Sequence, residues 1–225
     1  MLDWSKISTV LLDMDGTILD LHFDNHFWLH HLPMRYSEKA NISLAQAKQK
    51  LQVHFKRVAG TIEWYCLDYW AEQTSLPIVE LKKEVQHLIR LREDAREFLI
   101  ALKKSGRQII LVTNAHPDSL LLKIERTQFD QYFDRLYSTH TFGVSKESQL
   151  LWQQLQAKQG FDSSSTLFVD DSIDILDSAQ RFGIQHLLAI SNPDSKKAEV
   201  SITRYPAIND FRQLIAPLGE SPCRS

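Results

Sequence analysis

Cysteine is scarce in this chain, two in 225 residues, Cys66 and Cys223. The N-terminus, Met1-Leu-Asp-Trp-Ser-Lys, lacks the basic-then-apolar order of a secretory leader. Both thiols therefore read as free cysteines of a reducing cytoplasm, Cys66 as a small buried apolar residue and Cys223 as an exposed tail residue. No CxxC or HExxH occurs, so ligand spacing lends no support to a zinc site. Glycine and proline number seven each, which excludes collagen-like sequence. Charge of one sign is also missing: 26 basic against 28 acidic residues leave a net charge of −2 with neutral histidine. No basic excess is available to neutralise a phosphate backbone, so a dedicated nucleic-acid binder is not expected. The longest apolar runs are about half a membrane span, so no transmembrane helix is expected either. Internal repeats and low-complexity tracts are absent.

What is present suits a folded domain. At 43% hydrophobic and 24% charged, 225 residues can bury a sizeable core as one large domain, or as one domain carrying a smaller insertion. Thr9 to Leu12 is a short apolar run that stops at Asp13. From about Asp24 to Leu91 the pattern is helical throughout. Ser43-Leu-Ala-Gln46 has the form of a capping box opening a helix to about Ala59, stopped by Gly60. A second helix is expected over 61–73 and a third after Pro77. From Arg92 helices alternate with apolar strands: 108–112, a weak strand over 135–138, then 166–169 and 186–190. Helices are expected over 117–127 and 146–158, with a last short one over 209–215. The strands are apolar throughout, as in a parallel sheet covered on both faces. The fold class expected is α/β, a Rossmann-like, doubly wound parallel sheet core of residues 1–19 and 92–225, with residues 20–91 inserted as an all-helical cap domain.

Polar residues collect where these strands stop. In a doubly wound sheet, ligands bind outside the carboxyl ends of the strands, so the three ends share one pocket. The first carries Asp13-Met-Asp15-Gly-Thr17. Residues two apart at a strand end point the same way, and Gly16 turns the chain out immediately. One carboxylate can attack a phosphoryl group and form an acyl phosphate, while the other moves a proton to the leaving oxygen and from water. Thr17 can hold a neighbour through its hydroxyl. The second end carries Thr113 and Asn114, which offer a hydroxyl and loop N–H groups. The third carries Asp170 and Asp171. Four carboxylates at one edge repel unless a cation sits among them, and oxygen-only ligands point to Mg²⁺. Lys146 is placed at a helix start, where a cation gains nothing from the dipole, which favours a functional lysine.

Together these residues resemble the haloacid dehalogenase superfamily, in Val10-Leu-Leu-Asp-Met-Asp-Gly-Thr17, Ile110-Leu-Val-Thr113-Asn, Lys146 and Leu167-Phe-Val-Asp-Asp171-Ser. The resemblance implies that Asp13 is the nucleophile and Asp15 the general acid/base. It implies that Thr113, Asn114 and Lys146 bind the phosphate, and that Asp13, the backbone carbonyl of Asp15 and Asp171 hold Mg²⁺ together with Asp170. It departs from the common pattern at Glu147, where many relatives have proline, and at Ile175, where many carry a polar residue; Asp174 stands one position early. Longer strings, among them Leu19-Asp-Leu-His-Phe-Asp-Asn-His-Phe-Trp28 and Trp64-Tyr-Cys-Leu-Asp-Tyr-Trp70, resemble the bacterial purine nucleotidases of that superfamily. They imply a cytoplasmic hydrolase of GMP- and IMP-type 5′-monophosphates, its partner a small-molecule phosphomonoester. A sugar-phosphate phosphatase or a phosphomutase shares the same motifs.

Several features have competing readings. His22, His26 and His30 share one helical stripe, expected at the cleft between insertion and sheet ahead of open solvent; no acidic or Cys partner at matching spacing supports a metal there. Tyr65 and Tyr69 share a helical face, which favours packing within the insertion over stacking on a base. His116 and His140 can line the pocket.

Overall fold

The protein was analysed as a computed structural model, which describes residues 2–219. Cys223 lies outside the described residues. Six strands form one sheet: β1 (Thr9–Leu12), β2 (Gln108–Thr113), β3 (Arg135–Ser138), β4 (Thr166–Asp170), β5 (His186–Ile190) and β6 (Ala207–Ile208). Every pair is parallel and the order is β3-β2-β1-β4-β5-β6. The expected doubly wound α/β fold is therefore present. The winding reverses between β1 and β4, which places the switch-point crevice beside Asp13 and Asp170.

Alternate residues of each strand serve two cores. Val10, Leu12, Ile109, Leu111, Leu167 and Val169 enter one, on the side of α7 (Ala95–Lys104) and α11 (Ile215–Gly219). Leu11, Ile110, Val112 and Phe168 enter the other, under α9 (Gln149–Gln159) and α10 (Ile173–Phe182). Burial on both faces explains why the strands read as continuous apolar runs. β6, two residues long, escapes the sequence pattern because its burial is too short to show a period. The last short helix is a 3₁₀ turn, Phe211–Leu214, that runs on into α11.

Between β1 and β2 stands a helical segment with its own core of Phe23, Phe27, Leu51, Trp70 and Leu81 among others. It begins with α1 (His22–His26), a π turn (Phe27–His31) and α2 (Leu32–Ala40). The widened turn precedes Pro33, which has no N–H for the carbonyl four residues back. In α3 (Leu44–Val58) the capping box is complete: Ser43 Oγ accepts from the Gln46 N–H, and Gln46 Oε1 accepts from the Ser43 N–H. The helix expected over 61–73 is instead broken into α4 (Ile62–Tyr65) and α5 (Leu67–Thr74), because Cys66 is extended. The Trp70 indole N–H donates to the Trp64 carbonyl freed by that break, 2.9 Å away. α6 (Ile78–Glu84) follows Pro77, as expected.

The two strands of chain that join this segment to the sheet run side by side. Leu19 bridges Leu91, the Asp20 N–H donates to the Arg90 carbonyl, and the Arg92 N–H donates to the Ile18 carbonyl. Among the described residues no helix is long and apolar enough to cross a membrane.

Candidate active site

Asp13 follows β1 directly, and its N–H continues the ladder to the Val169 carbonyl. The chain then turns sharply, with three successive N–H groups, those of Thr17, Ile18 and Leu19, converging on the Met14 carbonyl. Gly16 sits at φ +84°, and a Cβ there would lie 2.5 Å from Asp171 Oδ2. The turn needs glycine for its backbone and for the space it leaves. Thr17 is fully buried, and its hydroxyl has no hydrogen-bond partner among the described residues, contrary to the bond expected of it.

The pocket at the sheet edge brings Asp13, Asp15, Thr113, Asn114, Lys146, Asp170 and Asp171 together, in a cleft of about 280 Å³ closed over by the helical segment. Carboxylate oxygens of Asp13, Asp170 and Asp171 lie within 4.8 Å of one another. Lys146 Nζ bridges two of them, 2.5 Å from Asp13 Oδ1 and 2.7 Å from Asp170 Oδ2. Burial pushes Asp13 up to about 6, against the pull of Lys146. Burial, reinforced by Asp170 and Asp13, pushes Asp171 well above the usual carboxylate range. Burial alone would lower Lys146, but its two carboxylate partners hold it charged. Asp174 is exposed and Ile175 buried, so the position beyond the aspartate pair supplies no ligand.

Lys146 does not open a helix. It lies in a turn, and α9 starts at Gln149 with Ser148 as its cap. Asn114 sets that turn: its Oδ1 accepts from the Lys146 N–H and the Thr139 hydroxyl, and its Nδ2 donates to Glu147. The Asn114 side chain is thus committed to the scaffold, leaving the backbone of its loop for a ligand. Thr113 Oγ1 accepts from the Ala115 N–H and keeps its own proton to donate. Glu147, where relatives carry proline, also accepts from the Tyr65 hydroxyl, 2.8 Å away, and so ties the helical segment to this turn.

A second cluster was not legible in the sequence. Asp15 Oδ1 lies 2.7 Å from Lys123 Nζ, which lies 2.7 Å from Asp24; Lys82 approaches the other Asp24 oxygen at 2.9 Å. Both lysines are buried. Burial, with Asp24 and Asp13 nearby, pushes Asp15 up to about 7. Burial would raise Asp24 too, but the two lysines hold it well below the usual range. The missed signal is positional. Lys123 belongs to α8 (Pro117–Thr127), next to Leu122 and one turn after buried Ser119; Lys82 lies one turn after Ile78 and next to Leu81. A lysine on an apolar stripe is a buried lysine in search of a carboxylate.

With every group ionised, five aspartates against three lysines would leave two negative charges around the pocket. An all-oxygen carboxylate cluster with that deficit fits one Mg²⁺.

The aromatic expectations divide. Trp70 is core, Tyr69 bonds His54, and Trp64 and Tyr65 line the pocket with Trp28, so Tyr65 and Tyr69 do not act as one face. The break at Cys66 separates them. The histidine stripe divides: His22 reaches Asp194 across the junction with the sheet, 3.6 Å away, whereas His26 and His30 stack on each other outside the pocket, which Asp24, Asn25 and Trp28 line instead. Asp20 is turned away as well, bonded to Arg90 and Ser195. His116 lines the pocket, and His140 packs against it from behind.

The model of the haloacid dehalogenase-like hydrolases matches residues 7–183. Over 215 residues the chain is 47% identical to the GMP/IMP nucleotidase YrfG of Escherichia coli (strain K12), covering 96% of this chain and 97% of that one. The protein of the same name from Shigella flexneri matches equally. A HAD phosphatase from Thermococcus onnurineus has the same fold, with a TM-score of 0.78 at 20% identity, covering 96% of this chain and 99% of that one. The L-2-haloacid dehalogenase of Xanthobacter autotrophicus superposes with a TM-score of 0.63 at 13% identity, covering 96% and 100%.

Proposed function

Since this chain belongs to the haloacid dehalogenase-like hydrolases, we propose that it hydrolyses purine nucleoside 5′-monophosphates, GMP and IMP, to nucleoside and phosphate. The observation that carries the substrate is the 47% identity, along nearly the whole length, to a GMP/IMP nucleotidase. The site supports the chemistry. Asp13 lies at the end of β1 with its carboxylate gripped by Lys146, placed to attack phosphorus and form an aspartyl phosphate. Asp15, pushed up to about 7, holds a proton near neutrality to give to the leaving O5′, and then takes one from the water that attacks the aspartyl phosphate. Lys123 pairs with the Asp15 carboxyl. Lys146, the Thr113 hydroxyl and the N–H groups of the Asn114 loop hold the phosphoryl oxygens.

Asp13, Asp170 and Asp171, with the Asp15 carbonyl, would hold Mg²⁺, which when bound stabilises charge on the phosphoryl group. Residues 1–19 and 92–225 form the catalytic core in this reading, and 20–91 the cap that shapes the nucleoside end. Trp28 and Trp64 are its base-facing side chains, their indoles available for stacking, while the Asn25 amide donates to Asp194.

A phosphomutase would use the same groups but keep the aspartyl phosphate for a second sugar phosphate. Phosphate release from IMP separates the two. The hydrolase turns over steadily with no sugar bisphosphate added. One equivalent of inosine released with no free phosphate, resuming only when a sugar phosphate is added to accept the phosphoryl group, would overturn the reading.

A further inference from the structure

The break between α4 and α5 turns Cys66 toward the sheet edge, where two histidines meet it. We propose that Cys66, His116 and His140 form a binding site for a borderline-soft divalent cation of the Zn²⁺ class, tying the helical segment to the loops after β2 and β3. One ligand atom from each of the three lies within 4.8 Å of the others. Two donors on one tetrahedral Zn²⁺ sit about 3.5 Å apart, given bonds of about 2.0–2.3 Å, so side-chain rotation alone closes the set.

Each ligand comes from a different element. Cys66 is the extended residue between two helices, with its N–H and carbonyl bonded to Glu63 and Trp70. His116 is the cap of α8. Its Nδ1 accepts from the Asp118 N–H, so ligation through Nε2, 3.5 Å from Asp68 Oδ2, requires the ring proton to move to Nδ1, which gives up that bond and turns to donate to Asp118 Oδ2, 3.6 Å away. His140 stands in the 3₁₀ turn Thr139–Phe142, and its Nε2 is buried with no hydrogen-bond partner among the described residues. The two rings cross at 76° with centroids 5.0 Å apart. A buried imidazole nitrogen without a partner, beside a thiol and a second imidazole, is an incomplete polar group that a cation would complete.

Ligand softness separates this site from the aspartate cluster. Thiolate and imidazole select Zn²⁺-like ions, whereas the three aspartates select Mg²⁺. On binding, the Cys66 thiol loses its proton to solvent, both imidazoles donate neutral lone pairs, and Asp68 or a water fills the fourth position. No electron is transferred. Because His116 also lines the pocket, an ion held here fixes the helical segment against the core and slows turnover.

Co²⁺ added at saturating Mg²⁺ tests the site directly. One equivalent gives a thiolate-to-cobalt absorption band in the wild type and in Cys223→Ser, and none in Cys66→Ser. His140→Gln weakens Zn²⁺ binding, measured by competition with a chromophoric chelator, by about tenfold or more. Half-inhibition by Zn²⁺ moves to at least about tenfold higher concentration in Cys66→Ser. A wild type with no thiolate band, a band lost in Cys223→Ser instead, or Zn²⁺ affinity unchanged by His140→Gln overturns the proposal.

Discussion

At the scale of single residues, the account rests on two aspartates with separate partners. Asp13 is held by Lys146 and Asp15 by Lys123; in the proposed mechanism one attacks while the other keeps a proton. Asp13→Asn is nearly isosteric and removes the attacking oxygen. Turnover is expected to fall by at least about 1,000-fold while the thermal transition moves little; wild-type turnover in the folded variant contradicts the assignment. Lys123→Met leaves Asp15 and Asp24 facing each other in a buried pocket. Breaking a buried pair on one side costs about 3–5 kcal/mol, and denaturant unfolding of this variant should show a loss of that order. A variant as stable as wild type would mean that the second cluster is not held by this lysine. The first pair was legible because both aspartates stand where an apolar run ends. The lysine was not, because Asp15, Asp24, Lys82 and Lys123 come from four places in the chain, and only the folded helices bring them together.

At the scale of elements, the turn after β1 and the pairing of the two connecting strands set the site. Gly16 combines a left-handed backbone with a missing Cβ that would meet Asp171. Gly16→Ala should cost about 1–3 kcal/mol in stability and displace Asp171, raising the Mg²⁺ concentration needed for half-maximal activity. An unchanged Mg²⁺ requirement argues against Asp171 as a ligand. The pairing is clasped by Asp20, which accepts from Arg90 and from the N–H groups of His22 and Ser195. Burial opposes its charge, but Ser195 and Arg90 win and hold it down to about 2, below the ordinary 3.8. A lowered carboxyl contributes stability above its unfolded value and loses it as pH falls through its folded one. That stability is therefore present above about pH 4 and lost between about pH 4 and 2. Asp20→Asn should lie below wild type in stability at pH 6 and converge with it near pH 2; parallel curves would contradict the clasp. Helix boundaries here were legible where a local signal sets them, as at the Ser43–Gln46 capping box. They were not legible at Cys66, where no glycine or proline marks the break and the Trp64 carbonyl is satisfied by the indole of Trp70 in the next helix.

At the scale of the whole molecule, the sheet order explains why residues 13, 113, 146 and 170 meet. The winding reverses beside β1, and every strand delivers its last residue to the same edge. That much follows from alternating apolar strands and helices, which is why the pocket was legible before its walls were. The walls were not, because the helical segment chooses its facing side chains by packing: Asn25 and Trp28 turn in, while His26 and His30 turn out. In the proposed reaction, the carboxylate cluster calls for a small hard cation. Excess chelator should abolish turnover, Mg²⁺ should restore it, and Ca²⁺, which accepts looser and higher coordination, should not.

The most direct measurement is kcat/KM for GMP, IMP, AMP, UMP and a hexose phosphate under one Mg²⁺ condition. A 6-oxo purine presents an acceptor where AMP presents a donor, and a base-reading pocket matched to one leaves a buried polar group unpaired with the other, at about 1–3 kcal/mol. The account predicts GMP and IMP ahead of AMP and UMP by about tenfold or more, with the hexose phosphate lower still. Equal values for AMP and GMP, or a preference for the hexose phosphate, would contradict it.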